Sequence, residues 1–158
     1  MTLLSPATLL NGLLAAVASA GFAVFFNVPP RALAACAVSG ALAYLTRLSL
    51  SVGGGVNPEL ATFVAATLAG VAGTLWGRRL RAPAVIFVIP GVIPLIPGQL
   101  AFRTMIDILQ LTAAAAPAQN DAVAPAVVGM LRTSIAMVAI ACGAAVPSLL
   151  LRPEAPMT

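Results

Sequence analysis

Five long apolar segments, separated by short connections, constrain this chain more than any other feature of its sequence. A window of about 19 residues places them at residues 7–26, 32–52, 59–77, 83–112 and 126–151. Each is long enough to cross a hydrocarbon core of about 30 Å as a helix rising about 1.5 Å per residue. Lipid offers the backbone no hydrogen-bond partners, and no strand-like alternation occurs. The sequence therefore predicts an all-α integral membrane fold of about five transmembrane helices.

Composition supports a membrane protein and excludes several other classes. Hydrophobic residues make up 61% of the 158 residues and charged residues 8%, against about 25% charged residues in an ordinary soluble domain. Twelve charged side chains could not cover so much apolar surface in water. The eight Arg are too scattered to follow a nucleic acid, and the absence of His argues against a zinc site. We expect a single transmembrane domain over residues 1–158, with no metal and no cofactor.

The distribution of Arg among the connections predicts an orientation. Arg residues follow the first span, follow the third span and lie in the C-terminal tail, at Arg31, Arg78, Arg79, Arg81 and Arg152. The connections at residues 53–57 and 113–125 contain no Arg. The positive-inside rule then places the N-terminus outside and the C-terminus in the cytoplasm.

The fourth apolar segment is predicted to be broken. Three Pro and two Gly lie between residues 89 and 98, at Pro90, Gly91, Pro94, Pro97 and Gly98. Each interior Pro removes a helical hydrogen bond and costs about 3 kcal/mol. We expect a half-helix, a non-helical crossing at about residues 90–98, and a second half-helix from about Gln99 to Thr112. Irregular backbone at membrane depth lines a cavity or packs inside protein, and both alternatives stay open. The amide groups at the start of the second half-helix would suit an anion.

Four ionisable residues lie within the spans: Arg47, Arg103, Asp107 and Arg132. Such residues usually have a partner and a function. Arg103 and Asp107 are four residues apart, so they can pair on one helix face, which would be a purely structural role. Each Arg either snorkels to the headgroups or faces a polar cavity that attracts carboxylates. A carboxyl group at membrane depth, such as that of Asp107, could also couple transport to a proton gradient.

A set of residues in a fixed order, spread over nearly the whole chain, is typical of one protein family: Gly21-Phe22-Ala23, Phe26-Asn27-Val28-Pro29, Arg31-Ala32-Leu33, Cys36, Gly40, Arg47, Asn57, Thr62-Phe63, Gly70, Trp76, Pro83, the break from Ile93-Pro94 to Pro97-Gly98, and Met105. In these residues the chain resembles the threonine/serine exporter family, specifically the small membrane subunit of its split, YjjB-type form. The chain departs from the family pattern at Phe102, where an aromatic hydroxyl is usual, and at Arg103. An additional Arg would favour a more acidic substrate.

The resemblance implies a subunit of a secondary transporter in the bacterial inner membrane that exports small carboxylates. The implied substrates are threonine and serine, or a dicarboxylate such as succinate. The implied partner is a larger, YjjP-type subunit, which would make the complex a hetero-oligomer. Candidate substrate-binding residues are Asn27, Arg47, Pro94, Pro97, Gly98, Gln99 and Arg103, and Asp107 is the candidate for proton coupling. Asn27 has the alternative role of a turn residue.

Two other functions fit the same sequence. The chain could be a scaffold subunit that stabilises its partner without binding a ligand, or a component of a passive channel. An intramembrane enzyme is not expected, because the spans hold no His and no paired carboxylates that could serve as a base or nucleophile.

Overall fold

The computed structural model describes residues 6–113 and 116–150, and this part of the chain is almost entirely helical. Its α-helices are α1 (Pro6–Phe25), α2 (Pro30–Leu48), α3 (Pro58–Leu80), α4 (Val85–Val92), α5 (Gly98–Ala113) and α6 (Ala116–Leu150). A π-helical turn, Ser49–Gly53, extends α2, and a 3₁₀ turn, Ile93–Leu95, follows α4. The described residues contain no strand, so the prediction of an all-α fold is confirmed.

The number of spans also agrees with the sequence. Four helical stretches in the described residues are long and apolar enough to cross a membrane: Pro6–Phe25, Pro30–Gly53, Pro58–Leu80 and Val123–Leu150. The pair Val85–Leu95 and Gly98–Thr112 adds a fifth crossing when it is counted as one broken span. The chain is therefore a multi-pass membrane protein with four to five candidate spans.

Two boundaries differ from those predicted. The last helix begins at Ala116 rather than near residue 126, and its 35 residues would extend about 52 Å, well beyond a hydrocarbon core. The Ala-rich stretch before the span explains the extension, because Ala has the highest helix propensity. The break in the fourth segment is shorter than the predicted residues 90–98, since Pro90 lies within α4 and only residues 96 and 97 are non-helical.

Proline and left-handed residues set the helix ends. Helices α2 and α3 begin at Pro30 and Pro58, where the missing amide hydrogen costs nothing because the first helical amides lack partners. Helix α1 ends at Phe25, and Asn27 in the turn that follows has a φ of 59°. The amide of Asn27 donates to the carbonyl of Val24 and that of Val28 to the carbonyl of Ala23, at 2.9 Å each. This pair of bonds is a Schellman cap, and Asn tolerates the left-handed conformation that it requires.

The described chain falls into two compact units. The first contains the chain up to Leu95 and the part of α6 from Ala139 onward, and the second contains Ile96–Val138. In the first unit α2 is central and contacts α1, α3 and α4. The buried core of this unit is built mainly from alanines, at Ala23, Ala32, Ala35, Ala43, Ala61, Ala65, Ala66 and Ala69. Small side chains let helix backbones approach closely, which is how helices associate in lipid.

Glycine makes the closest of these approaches possible. A Cβ atom added at Gly143 of α6 would lie 2.6 Å from the carbonyl oxygen of Phe63 and 2.9 Å from the Cβ of Ala66, both in α3. At Gly70 it would lie 2.9 Å from the carbonyl oxygen of Ala144. The α3–α6 contact in the first unit therefore depends on these glycines.

We expect Gly143→Ala to destabilise the protein by about 1–3 kcal/mol, the usual range for overpacking a well-packed site. The matched control is Gly21→Ala, because a Cβ at Gly21 meets no atom within 4 Å. Unfolding of both variants in detergent micelles, followed by circular dichroism, measures the difference. Equal stability of the two variants would show that the α3–α6 contact is looser than described.

Candidate functional site

Prolines in the fourth segment leave backbone carbonyl groups without their helical hydrogen-bond donors. In a continuous helix the amide of residue 90 would bond to the carbonyl of Ile86, and that of residue 94 to the carbonyl of Pro90. Proline has no amide hydrogen, so neither bond can form. The carbonyl of Leu95 loses its helical partner as well, because the helix is interrupted before α5 begins at Gly98. An unpaired carbonyl group costs several kcal/mol in an apolar medium.

Side chains of α1 and α2 supply the missing donors. The Ser19 hydroxyl donates to the carbonyl oxygen of Pro90 at 2.8 Å. The Cys36 thiol donates to the carbonyl oxygen of Ile86 at 3.5 Å. The Arg47 guanidinium donates through Nη1 to the carbonyl oxygen of Leu95 at 3.3 Å. We call these three contacts the carbonyl clasp, since together they hold the broken segment against α1 and α2.

Two glycines make room for the clasp. Ser19 Oγ lies so close to Gly40 that any Cβ atom there would overlap it. A Cβ atom at Gly91 would lie 3.2 Å from the Cβ of Ser39, so α4 packs tightly on α2 at this point. The Ser39 hydroxyl, which is fully buried beside Gly91, has no hydrogen-bond partner in the structure. Of the two buried serines near α4, Ser19 donates a hydrogen bond to it and Ser39 does not.

The Arg47 side chain is half-buried and contacts the broken segment at Leu95. A π-helical turn follows immediately, in which the Ser51 hydroxyl donates to the carbonyl of Arg47 at 2.7 Å. Of the predicted site residues in the first unit, Arg47 thus contacts the residue that follows Pro94.

Asn27 lies far from Arg47. It is exposed in the turn before α2, whereas Arg47 is near the end of that helix. Residue 47 is 17 positions after residue 30, a rise of about 25 Å along the helix. The structure therefore does not bring Asn27 and Arg47 together, and the cap of α1 accounts for the backbone of Asn27.

The second unit presents a polar stripe on α5. At about 100° per residue, Gln99, Arg103, Asp107 and Gln110 fall within an arc of about 80°. Gln99, Arg103 and Gln110 are exposed and Asp107 is half-buried. Among the described residues, Arg103 and Asp107 form no ion pair with each other, so the pairing that their spacing allows is not made. The stripe therefore keeps an unpaired cation and an unpaired anion one helical turn apart.

The described residues of the second unit leave the Gln99, Arg103 and Gln110 side chains of the stripe exposed. Thr104 is buried and packs against Gly129 of α6. Beside this contact, α5 and α6 line a groove of about 410 Å³ to which the polar stripe contributes no residue. Pro97 is buried at the start of the unit, and Gly98 is exposed at the first position of α5. Of the predicted residues, Gln99, Arg103 and Asp107 thus share one open helix face.

Sequence reasoning missed two members of the clasp. Isolated small polar residues in a span usually serve helix packing, so nothing in the local sequence identifies Ser19 or Cys36 as a donor to the broken segment. The available signal was the proline spacing, which identifies the carbonyls of residues 86 and 90 as unpaired. The donors lie 71 and 50 residues away along the chain. Among the described residues, no three His, Cys, Asp or Glu side chains come together to hold a metal ion.

We expect Ser19→Ala to destabilise the protein by about 1–3 kcal/mol, because it leaves the buried Pro90 carbonyl without a donor. The matched control is Ser39→Ala, which removes an equally buried hydroxyl that has no partner, and we expect no loss of stability from it, because an unpaired buried hydroxyl itself costs about 1–3 kcal/mol. Thermal unfolding in detergent compares the two variants.

A double-mutant cycle separates this hydrogen bond from packing. Pro94→Ala restores an amide that can donate to the Pro90 carbonyl, so Ser19→Ala should then cost less in the Pro94→Ala background than in the native one. Strictly additive effects would mean that Ser19 acts through packing alone.

The family assignment follows from comparison with known proteins. The sequence profile of the threonine/serine exporter family (ThrE) matches residues 11–150 of this chain. This match includes most of α1 and all of α2, the break and α6, so it covers both the carbonyl clasp and the polar stripe. No solved structure matches the chain. The chain belongs to the threonine/serine exporter family.

Proposed function

We propose that this chain is the small subunit of a two-component exporter that moves small carboxylates out of a bacterial cell. The substrates are threonine and serine, or a dicarboxylate such as succinate, and a larger subunit of the same family completes the transporter. Membership of the exporter family supports the transport reaction. The observation that carries the proposal is the polar stripe on α5.

The stripe is difficult to explain without a polar environment at membrane depth. Exposed charges are costly in hydrocarbon, by at least about 2.5–3.5 kcal/mol for each Arg or Asp on insertion scales. The charged Arg103 is exposed nonetheless, together with the polar Gln99 and Gln110, on a helix that belongs to a candidate span. A water-filled substrate pathway beside the stripe removes this cost. The larger subunit, facing α5, would form the other wall of that pathway.

The chemistry of the stripe suits a small carboxylate. A guanidinium group binds a carboxylate through two parallel N–H bonds, so Arg103 is the proposed anchor. Asp107 lies one turn further along the same face, and its carboxyl group would accept the ammonium group of an amino acid. A zwitterion such as threonine would then satisfy both charges. A dicarboxylate would engage Arg103 through one of its carboxylate groups.

The carbonyl clasp gives the broken segment a means of moving. Hydrogen bonds from three side chains hold it, and these can be exchanged individually more easily than the bonds of a continuous helix. We propose that Arg47 holds the break through Leu95 and offers its remaining N–H donors to substrate. Alternating access would rearrange these contacts as the cavity closes on one side and opens on the other.

Orientation and location complete the proposal. The turn at Arg31 and the turn at Arg78–Arg81 would face the cytoplasm by the positive-inside rule, with the N-terminus outside. The membrane is the bacterial inner membrane, and the exporter is a hetero-oligomer of the two subunits.

Efflux from preloaded cells tests the exporter. Cells that retain the large subunit are loaded with threonine, serine or succinate and compared with and without this chain. We expect efflux of at least one substrate to fall to background when the chain is absent. Arg103→Gln should reduce that efflux about 10- to 100-fold, because a hydrogen bond to a charged group contributes about 1.5–3 kcal/mol.

The control is Arg31→Gln, which removes an exposed Arg outside the proposed site and should leave efflux unchanged. Immunoblotting measures both subunits in every strain. If Arg103→Gln exports normally, the stripe does not bind substrate and the chain is better described as a scaffold. If none of the three substrates depends on the chain, the proposed substrate class is wrong.

Asp107 provides a separate prediction about coupling. If its carboxyl group carries the coupled proton, Asp107→Asn should abolish the dependence of efflux on external pH, because Asn cannot exchange a proton. Efflux is measured over a range of external pH at constant membrane potential, with Gln110→Leu as a control on the same stripe. An unchanged pH profile in Asp107→Asn would assign coupling to another group.

A further inference from the structure

A groove on the outer face of α3 combines an apolar floor with a charged end. Its volume is about 230 Å³, and it is lined by Ala72, Leu75, Trp76 and Arg79. These residues are spaced three or four apart along the helix, so they form one continuous stripe. Arg79 lies in the last turn of α3 and is exposed. The groove thus runs from the interior of the span to the end of the helix.

This end of the first unit concentrates positive charge. The turn between α1 and α2 and the turn between α3 and α4 lie at the same end, because Val28 and Ala32 pack in one cluster with Leu80 and Ala82. Arg31, Arg78, Arg79 and Arg81 all lie in or beside these two turns and are exposed.

Trp76 joins the groove to the core. One part of the indole packs against the buried cluster that contains Phe87, and another part lines the groove. Trp side chains favour the boundary between hydrocarbon and headgroups, where an apolar ring and a polar N–H are both accommodated. The residue therefore marks the depth at which a lipid headgroup would meet the helix.

We propose that this groove binds an anionic phospholipid, with one acyl chain against Leu75 and Trp76 and the phosphate on Arg79. A guanidinium group matches a phosphodiester with two parallel N–H donors. Basic pockets beside transmembrane helices recognise anionic headgroups in this way. The proposal concerns a different surface from the transport site and does not depend on the transported substrate.

The negative end of the α3 dipole does not prevent anion binding here. The α3 cap uses the Gly77 carbonyl, which accepts from the amide of Arg81 and, at 3.0 Å, from that of Ala82. Capping and the Arg side chains of the last turn offset the partial charge of the helix end.

The chain contains a single Trp, which makes the proposal directly measurable. The full-length protein is reconstituted into phosphatidylcholine vesicles that contain either brominated phosphatidylglycerol or brominated phosphatidylcholine at equal mole fraction. Bromine atoms quench the fluorescence of a Trp that they contact. We expect phosphatidylglycerol to occupy the site with about a fivefold preference, the effect of one Arg near an anionic headgroup.

Arg79→Gln should reduce this preference to near one, whereas Arg31→Gln, which removes an equal charge at the same end but outside the groove, should retain it. Circular dichroism confirms that both variants keep their helices. Equal quenching by the two lipids in the native protein would overturn the proposal, and so would protection of Trp76 from both, since another protein segment would then cover the groove. The same preference in Arg79→Gln as in the native protein would overturn the assignment of Arg79.

Discussion

The structure depends on one constraint: prolines remove the helical amide donors of several backbone carbonyl groups, and other donors must bond to these carbonyls in an apolar environment. Lipid cannot supply these donors, and an unpaired carbonyl costs several kcal/mol. Ser19, Cys36 and Arg47 supply them from α1 and α2. Because each donor bonds to a different carbonyl along the broken segment, α1 and α2 must lie against that segment over most of its length. The central position of α2 in the first unit follows from this requirement.

Small residues allow that arrangement to form. Gly40 and Gly91 bring the hydroxyl of Ser19 and the backbone of α4 within bonding distance, and alanines fill most of the core around them. A bundle of larger side chains would hold the helices too far apart for a serine or cysteine to reach a neighbouring backbone. The same small residues therefore allow the helices to pack closely and allow the side-chain donors to reach the backbone carbonyls.

The two units handle polarity in different ways. In the first unit the polar groups near the break are mostly buried and paired, and these contacts stabilise an irregular backbone. In the second, Gln99, Arg103 and Gln110 stay exposed on α5, and Arg103 and Asp107 do not pair with each other. Unpaired charged side chains in a membrane span usually have a function, so these residues require a polar partner that the fold of this chain does not supply. The chain belongs to the threonine/serine exporter family, and we propose that binding of a substrate within a complex meets that requirement.

The sequence by itself determined the membrane class, the approximate spans and the interruption of the fourth segment, because hydrophobic length and proline chemistry are local properties. It also placed Arg103 and Asp107 on one helix face, since that follows from helical periodicity alone. Only the tertiary structure decided that Arg47 faces the break, that Asn27 lies at the other end of α2, and that Ser19 rather than Ser39 bonds to Pro90. These contacts join residues 48 to 71 positions apart, and which of them form depends on how the helices pack, which no local pattern records.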